Sequence, residues 1–268
     1  VVGSGVTWVE FVSIFETLGS KVTIVVSRQQ ILPHRDPEVA AVLEEDFIER
    51  ALERWSATPG LEILGSHELP RLSIVSFVIR HGTRYLHHNY VVALLNDLFG
   101  IQSRAGCSCA GPYGHRLLDI DFERSERYRA WIHKGYSGIK PGWCRISLHY
   151  TMDDIEAEYI LDAIDFIAAQ GHRFLPLYNF DLHTGAWQHK ADAVDLEGFS
   201  LDAALECGGY QSRALGPGER MHLYSAYLAE AERLASGLEA DFGDEAQSPD
   251  PEFEALKFFS VPEKSVCG

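Results

Sequence analysis

At 268 residues, with 46% hydrophobic and 23% charged residues, the chain is long enough to bury a sizeable core in one or two globular domains. Lys and Arg total 23 against 39 Asp and Glu, a net charge of −16, which argues against nucleic acid or an anionic membrane as partner because phosphate binding rests on basic patches. Five cysteines without regular spacing argue against a disulfide framework, no apolar run approaches the ~20 residues of a membrane span, and no secretory leader is read, so a reduced, cytoplasmic setting is expected.

Residues 1–32 read as strand, glycine turn, helix, strand. After Gly3-Ser4-Gly5, the residues Val9, Phe11, Val12, Phe15 and Leu18 recur at helical spacing, and Gly19 closes that helix. Lys21 to Val26 is a β-branched run of the kind buried in parallel sheets. The pattern is the opening βαβ of a dinucleotide-binding fold with little of its first strand. Val1 to Thr7, Glu10-Phe11, Leu18-Gly19, Val22-Thr23 and Ile31-Leu32-Pro33 resemble the NAD(P)-binding segment of flavoprotein disulfide reductases and related quinone reductases. The resemblance implies that Gly3 permits the tight turn and Gly5 lets a pyrophosphate approach the helix N-terminus. Trp8 stands where that fingerprint has Gly or Ala for close helix–strand packing. Arg28 stands where an acidic residue would hold the ribose hydroxyls, which implies NADP rather than NAD; without the resemblance, Arg28 is a surface arginine in a turn.

Pro37 opens a helix to about Ala57, with Val39, Val42, Leu43, Phe47, Ala51, Leu52 and Trp55 as its apolar stripe and Thr58-Pro59-Gly60 as its stop. The first resemblance is expected to fade within it. Strands are predicted over Leu61–Leu64, Arg71–Arg80, Ile101–Arg104 and Trp143–Tyr150, and helices over Tyr85–Phe99 and Ile155–Gln170. Glu123 to Lys134 is a polar segment rich in Arg and Tyr. Beyond Gly171, Phe174–Tyr178 and Trp187 are expected to edge a sheet, and a helix is predicted over Glu219–Ser236. The last thirty or so residues are acidic and turn-rich, expected as solvated or partly disordered chain.

Candidate chemistry centres on Arg104-Ala105-Gly106-Cys107-Ser108-Cys109-Ala110-Gly111-Pro112. A cysteine near an arginine on a bent backbone suits a reactive thiolate; Cys109 is otherwise a small buried hydrophobe, and Arg145 the partner of a core carboxylate. A metal site from Cys107, Cys109 and Cys144 with His81, His87, His88, His115 and His149 lacks paired cysteine knuckles, and no metal is expected. Ile74 to Phe77, His87-His88, Gly100-Ile101, Arg104, Gly106, Cys109-Ala110, Pro112, Cys144-Arg145 and Ser147-Leu148 resemble the C-terminal domain of class V aminotransferase-fold enzymes, in particular the cysteine desulfurase and selenocysteine lyase group. That resemblance implies Cys109 as sulfur-accepting nucleophile, Arg104 and Arg145 at a substrate carboxylate, an amino acid such as cysteine as substrate, and pyridoxal phosphate as cofactor. The lysine that would anchor pyridoxal phosphate is missing; His189-Lys190 follows the cysteine loop and is taken as a decoy.

The expected architecture is therefore α/β and composite: a partial Rossmann-like βαβ over 1–44, then a small α+β domain over 45–170, mostly antiparallel sheet with helices, of the pyridoxal-phosphate fold-type I C-terminal kind. A subfamily-specific extension with an acidic, partly flexible end follows over 171–268. The main functional reading is a desulfurase-like fragment inactive by itself. The alternatives are an NAD(P)-linked flavoprotein-type oxidoreductase fragment and a non-catalytic binding or sulfur-relay module. A second copy of the chain is a further expected partner.

Overall fold

The computed structural model describes residues 37–67, 71–107, 111–191, 215–241, 245–246 and 250–267. The elements predicted before residue 37, with Gly3, Gly5, Trp8 and Arg28, lie outside the described residues, as does Cys109. Chain contacts divide the molecule into Val1–Leu43 and Glu44–Gly268. Of the first unit, only the opening turns of helix α1 (Pro37–Ser56) are described.

The second unit is α/β, built on an antiparallel sheet with the order β1 (Leu61–Ile63), β2 (Ile74–His81), β5 (Trp143–Ser147) and β4 (Arg104–Gly106). A short strand β3 (Arg84–Tyr85) turns back on the end of β2. Strand β2 shows why the sheet has one apolar face. Val75, Phe77 and Ile79 are buried while Ser76 and Val78 between them are not, the period of two that a pleated strand imposes. Register carries this face across the neighbours, with Ile79 opposite Leu61, Phe77 opposite Cys144 and Val75 opposite Ile146.

Helices α1, α2 (His88–Phe99) and α5 (Asp154–Gln170) supply core residues on the same apolar side. Ala157, Ile160, Leu161, Ile164 and Ile167 make the buried stripe of α5, and Trp55 of α1 meets Phe77 with ring centroids 6.1 Å apart. Outside the core, α1 and α5 are joined by charge. Arg50 reaches Asp154 at 2.8 Å and Glu158 at 2.9 Å, and Arg54 pairs with Glu158, Asp162 and Asp165. Helix α2 is capped at its start by the His87 imidazole, whose Nδ1 accepts the Asn89 N–H at 3.2 Å, and at its end by Gly100 at φ 65°, where glycine carries no Cβ penalty.

A second sheet has the order β7 (Trp187–His189), β6 (Tyr178–Asp181) and β8 (Val266–Cys267), with β6–β7 antiparallel and β6–β8 parallel. Between the sheets in sequence lie α3 (Gly111–Leu117), α4 (Phe122–His133) and, later, α6 (Pro217–Ser236) and α7 (Pro251–Leu256). Tyr128, Trp131, Ile139, Phe253 and Leu256 form a smaller core in which α4 meets α7.

Several elements differ from the sequence expectation. The segment read as merely polar is helix α4, because Asp121 caps it by accepting the Arg124 N–H at 2.7 Å and Tyr128 and Trp131 bury its inner face. Tyr85 belongs to β3, so α2 begins after the His87 cap rather than at Tyr85. Residues Gly171–Leu177 form a 3₁₀ turn, and the sheet strand starts at Tyr178. In the acidic terminal stretch, Phe253, Leu256, Phe259 and Val261 are buried. Among the described residues no helix is long and apolar enough to cross a membrane.

Candidate functional site

Strands β4 and β5 bring together the two arginines singled out in the sequence. Arg104 and Arg145 are direct antiparallel partners at the β4 edge of the sheet. Directly opposed Cβ atoms in such pairs lie about 5 Å apart, and like charges there repel. Arg104 is exposed and Arg145 half-buried, and neither makes an ion pair with a carboxylate among the described residues. Both line a groove of about 560 Å³ along that edge. Its wall carries Tyr159 and Tyr224, stacked with centroids 4.0 Å apart and an interplanar angle of 7°. The Tyr159 hydroxyl donates to the Phe99 carbonyl at 2.8 Å, and burial raises its phenol above the ordinary range. Glu156, also in the wall, is held by Arg220 at 3.1 Å. The groove can therefore present guanidinium donors to a small anion beside an aromatic wall.

Among the described residues, Cys107 and Cys144 are both free thiols in different surroundings. Cys107 is half-buried just after β4 and lines a separate cavity of about 200 Å³ with His115, Lys140 and Trp143. Cys144 is buried on the core face, its thiol donates to the His88 carbonyl at 3.4 Å, and burial pushes its pKa up, so it stays a neutral thiol. The histidines scatter into pairs and local turns. His81 stacks on His172 at 4.6 Å, His115 lies 3.3 Å from the Ser125 hydroxyl, and His149 Nδ1 lies 2.8 Å from that of Thr151. Among the described residues no three His, Cys, Asp or Glu side chains are placed to hold a metal ion. Lys190 donates to the Pro176 carbonyl at 2.7 Å, and His189 Nδ1 accepts the Ala191 N–H at 3.2 Å, so this dipeptide serves local structure at the end of β7.

The His87-His88 doublet is where sequence reading fell short, having placed it in a loose histidine group and in the aminotransferase-like pattern, with no role for either ring. The two rings stack with centroids 4.3 Å apart. His87 is fully committed: its Nδ1 accepts from Asn89 and its Nε2 donates to the Gly138 carbonyl at 3.0 Å, which fixes the neutral tautomer. Burial and the adjacent His88 hold its pKa well below the ordinary value. His88 is buried too; burial and the nearby Lys140 charge lower its pKa to about 4, and its Nδ1 bonds no other protein group. The sequence signal was the doublet's place at a helix start where the N-cap position holds His87 in place of Ser, Thr, Asp or Asn, which leaves that imidazole to do the capping.

Residues 1–68 match the pyridine nucleotide-disulphide oxidoreductase family. The match runs past the point in α1 where the resemblance was expected to fade and takes in β1. Two curated relatives, both NAD(P)H dehydrogenase (quinone) of Mycobacterium tuberculosis, from strains CDC 1551 / Oshkosh and ATCC 25618 / H37Rv, are each 52% identical over 52 residues, or 19% of this chain. The chain spans about a tenth of the length of these relatives. These findings support the NAD(P)-binding segment and overturn the expectation of a class V aminotransferase or cysteine desulfurase with pyridoxal phosphate. The matched family is one of pyridine nucleotides, and the His189-Lys190 imitation of a cofactor lysine is tied into the backbone. Of the readings made from the sequence, these matches favour the oxidoreductase-fragment alternative over the desulfurase one.

Proposed function

We propose that residues 1–68 are the NAD(P)-binding segment of a flavoprotein-type oxidoreductase that prefers NADP(H). The family match over these residues carries the reading, and the Gly3-x-Gly5 turn with Arg28 after the second predicted strand supports it. Gly3 and Gly5 let backbone N–H groups at the helix start face a pyrophosphate, and Arg28 offers its guanidinium to a ribose 2′-phosphate. A bound nicotinamide would supply or accept hydride. By analogy with the relatives' printed name, a quinone is the proposed acceptor for the full-length protein. Calorimetric titration tests this. NADPH is expected to bind saturably, Gly5→Val to abolish binding, and Arg28→Asp to weaken NADPH by about tenfold while sparing NADH. Trp8→Ala, restoring the small residue of the fingerprint, is expected to tighten both. Failure of either nucleotide to bind the unsubstituted chain sinks the reading.

A second reading concerns residues 44–268, and the direct opposition of Arg104 and Arg145 favours it. We infer that the groove at the β4 edge takes a small carboxylate, whose negative charge relieves the repulsion of the paired guanidiniums. Succinate is the probe. Its affinity is expected to fall about tenfold in either Arg104→Gln or Arg145→Gln and to weaken with added salt. Affinity in both variants unchanged from that of the unsubstituted chain rules the groove out.

A further inference from the structure

A cavity of about 320 Å³ lies within residues 44–268 and shares no lining residue with the arginine groove. Phe77, Tyr85, Leu118, Tyr128 and Phe258 line it, and His88 at the first turn of α2 contributes to the wall. Its volume falls in the range of small-molecule sites, which are mostly apolar with a few placed polar groups. What those polar groups already bond decides the matter. Glu62 is held by Arg80 at 2.6 Å and accepts from the Tyr85 hydroxyl at 3.2 Å. The Tyr128 hydroxyl donates to the Leu256 carbonyl at 2.8 Å. The Cys144 thiol is bonded to the His88 carbonyl.

His88 differs from them. It is 6% exposed, its ring lies parallel to Phe258 at an interplanar angle of 4°, and its Nδ1 is buried without a hydrogen-bonding partner. A buried polar atom left unmatched costs about 1–3 kcal/mol, so a ligand group that reaches it gains affinity and orientation together. A hydroxyl both donates and accepts and so satisfies either imidazole tautomer. The aromatic walls favour a flat ring, and the charged residues of the lining are of both signs, Arg124 with Asp119 and Glu62, so the wall offers no single charge to repay an ionised ligand for its lost hydration.

We propose that this cavity binds a neutral phenol-class molecule, its ring among Phe77, Leu118 and Phe258 and its hydroxyl hydrogen-bonded to the His88 imidazole. No residue lines both this cavity and the arginine groove, so the two sites can be tested separately.

The test titrates the full chain with para-ethylphenol, with ethylbenzene and para-ethylbenzoate as comparison probes, by calorimetry and by nitrogen-15 NMR of the imidazoles. Para-ethylphenol is expected to bind about tenfold more tightly than ethylbenzene and to shift the His88 ring resonances in the unsubstituted protein. His88→Phe, which keeps the ring stacking, is expected to erase that preference while leaving ethylbenzene binding as it was. Leu118→Trp is expected to abolish binding of both by filling the cavity. The proposal is overturned by the absence of saturable para-ethylphenol binding, by unmoved His88 resonances at saturation, by tighter binding of para-ethylbenzoate, or by an unchanged preference in His88→Phe.

Discussion

Acidification from about pH 7 to about pH 4 is expected to destabilise residues 44–268 by about 3 kcal/mol through His88 alone. Its folded-state pKa is about 4 against an ordinary value of 6.5, and it is almost wholly buried. In the window between those values the unfolded chain holds a proton on His88 that the folded chain refuses. The unfolded state then binds more protons, and stability falls as pH is lowered. Above pH 6.5 the full stability is present; below about pH 4 the folded ring protonates too and the loss levels off. His87 adds to the loss in the same direction, since burial and the adjacent His88 hold its pKa well below the ordinary value. The stacked His81 and His172, also lowered by burial, act likewise with smaller weight. Urea midpoints measured across this range check the expectation. His88→Phe should make the profile shallower, and a profile equally steep in that variant would show that the acid sensitivity arises elsewhere.

Gly142→Ala is expected to cost about 3 kcal/mol or more, a loss in the range of severe core overpacking. A Cβ at this position would stand 2.7 Å from the Gly106 Cα, 2.8 Å from its carbonyl carbon and 2.9 Å from His88 Cε1. The first two are backbone atoms of β4, which cannot retreat without breaking the Gly106–Trp143 pairing at the sheet edge. Gly82→Ala is the control. Gly82 sits at φ 57° in the turn between β2 and β3 with nothing within 4 Å of an added Cβ, so only backbone strain of about 1 kcal/mol is expected. Denaturant unfolding of the two variants separates the effects, and a Gly142→Ala no less stable than Gly82→Ala would refute the steric account.

Sequence periodicity served well where a helix carries a continuous apolar stripe or a strand alternates strictly. Helix α5 and the Val75–Phe77–Ile79 face of β2 are both of this kind. It served poorly for α4, whose exposed Arg and Glu residues mask an apolar contribution limited to Tyr128 and Trp131. The Asp121 cap was the available signal there. The acidic terminal run misled in the same way, because α7 buries only Phe253 and Leu256 beneath a charged surface. At the arginine groove, both residues could be named from the sequence. Their direct opposition could not, since register depends on how β4 and β5 slide past one another. The His88 cavity was illegible because its walls come from β1, β2, the α3–α4 connection and Phe258, segments far apart in the chain.

The parallel pairing of β8 with β6 has a consequence for biosynthesis. Phe180 faces Val266 in that register, and the buried Ser265 hydroxyl donates to the Leu175 carbonyl at 3.4 Å. The β6–β7 hairpin can form from neighbouring residues as soon as it clears the ribosome, but the sheet closes only when residue 267 has also emerged. Throughout that interval β6 presents an unpaired edge bearing Phe180, the condition in which nascent chains are most exposed to intermolecular strand pairing. Speed of elongation through the intervening residues, rather than the stability of the finished fold, then governs how long that edge stays open.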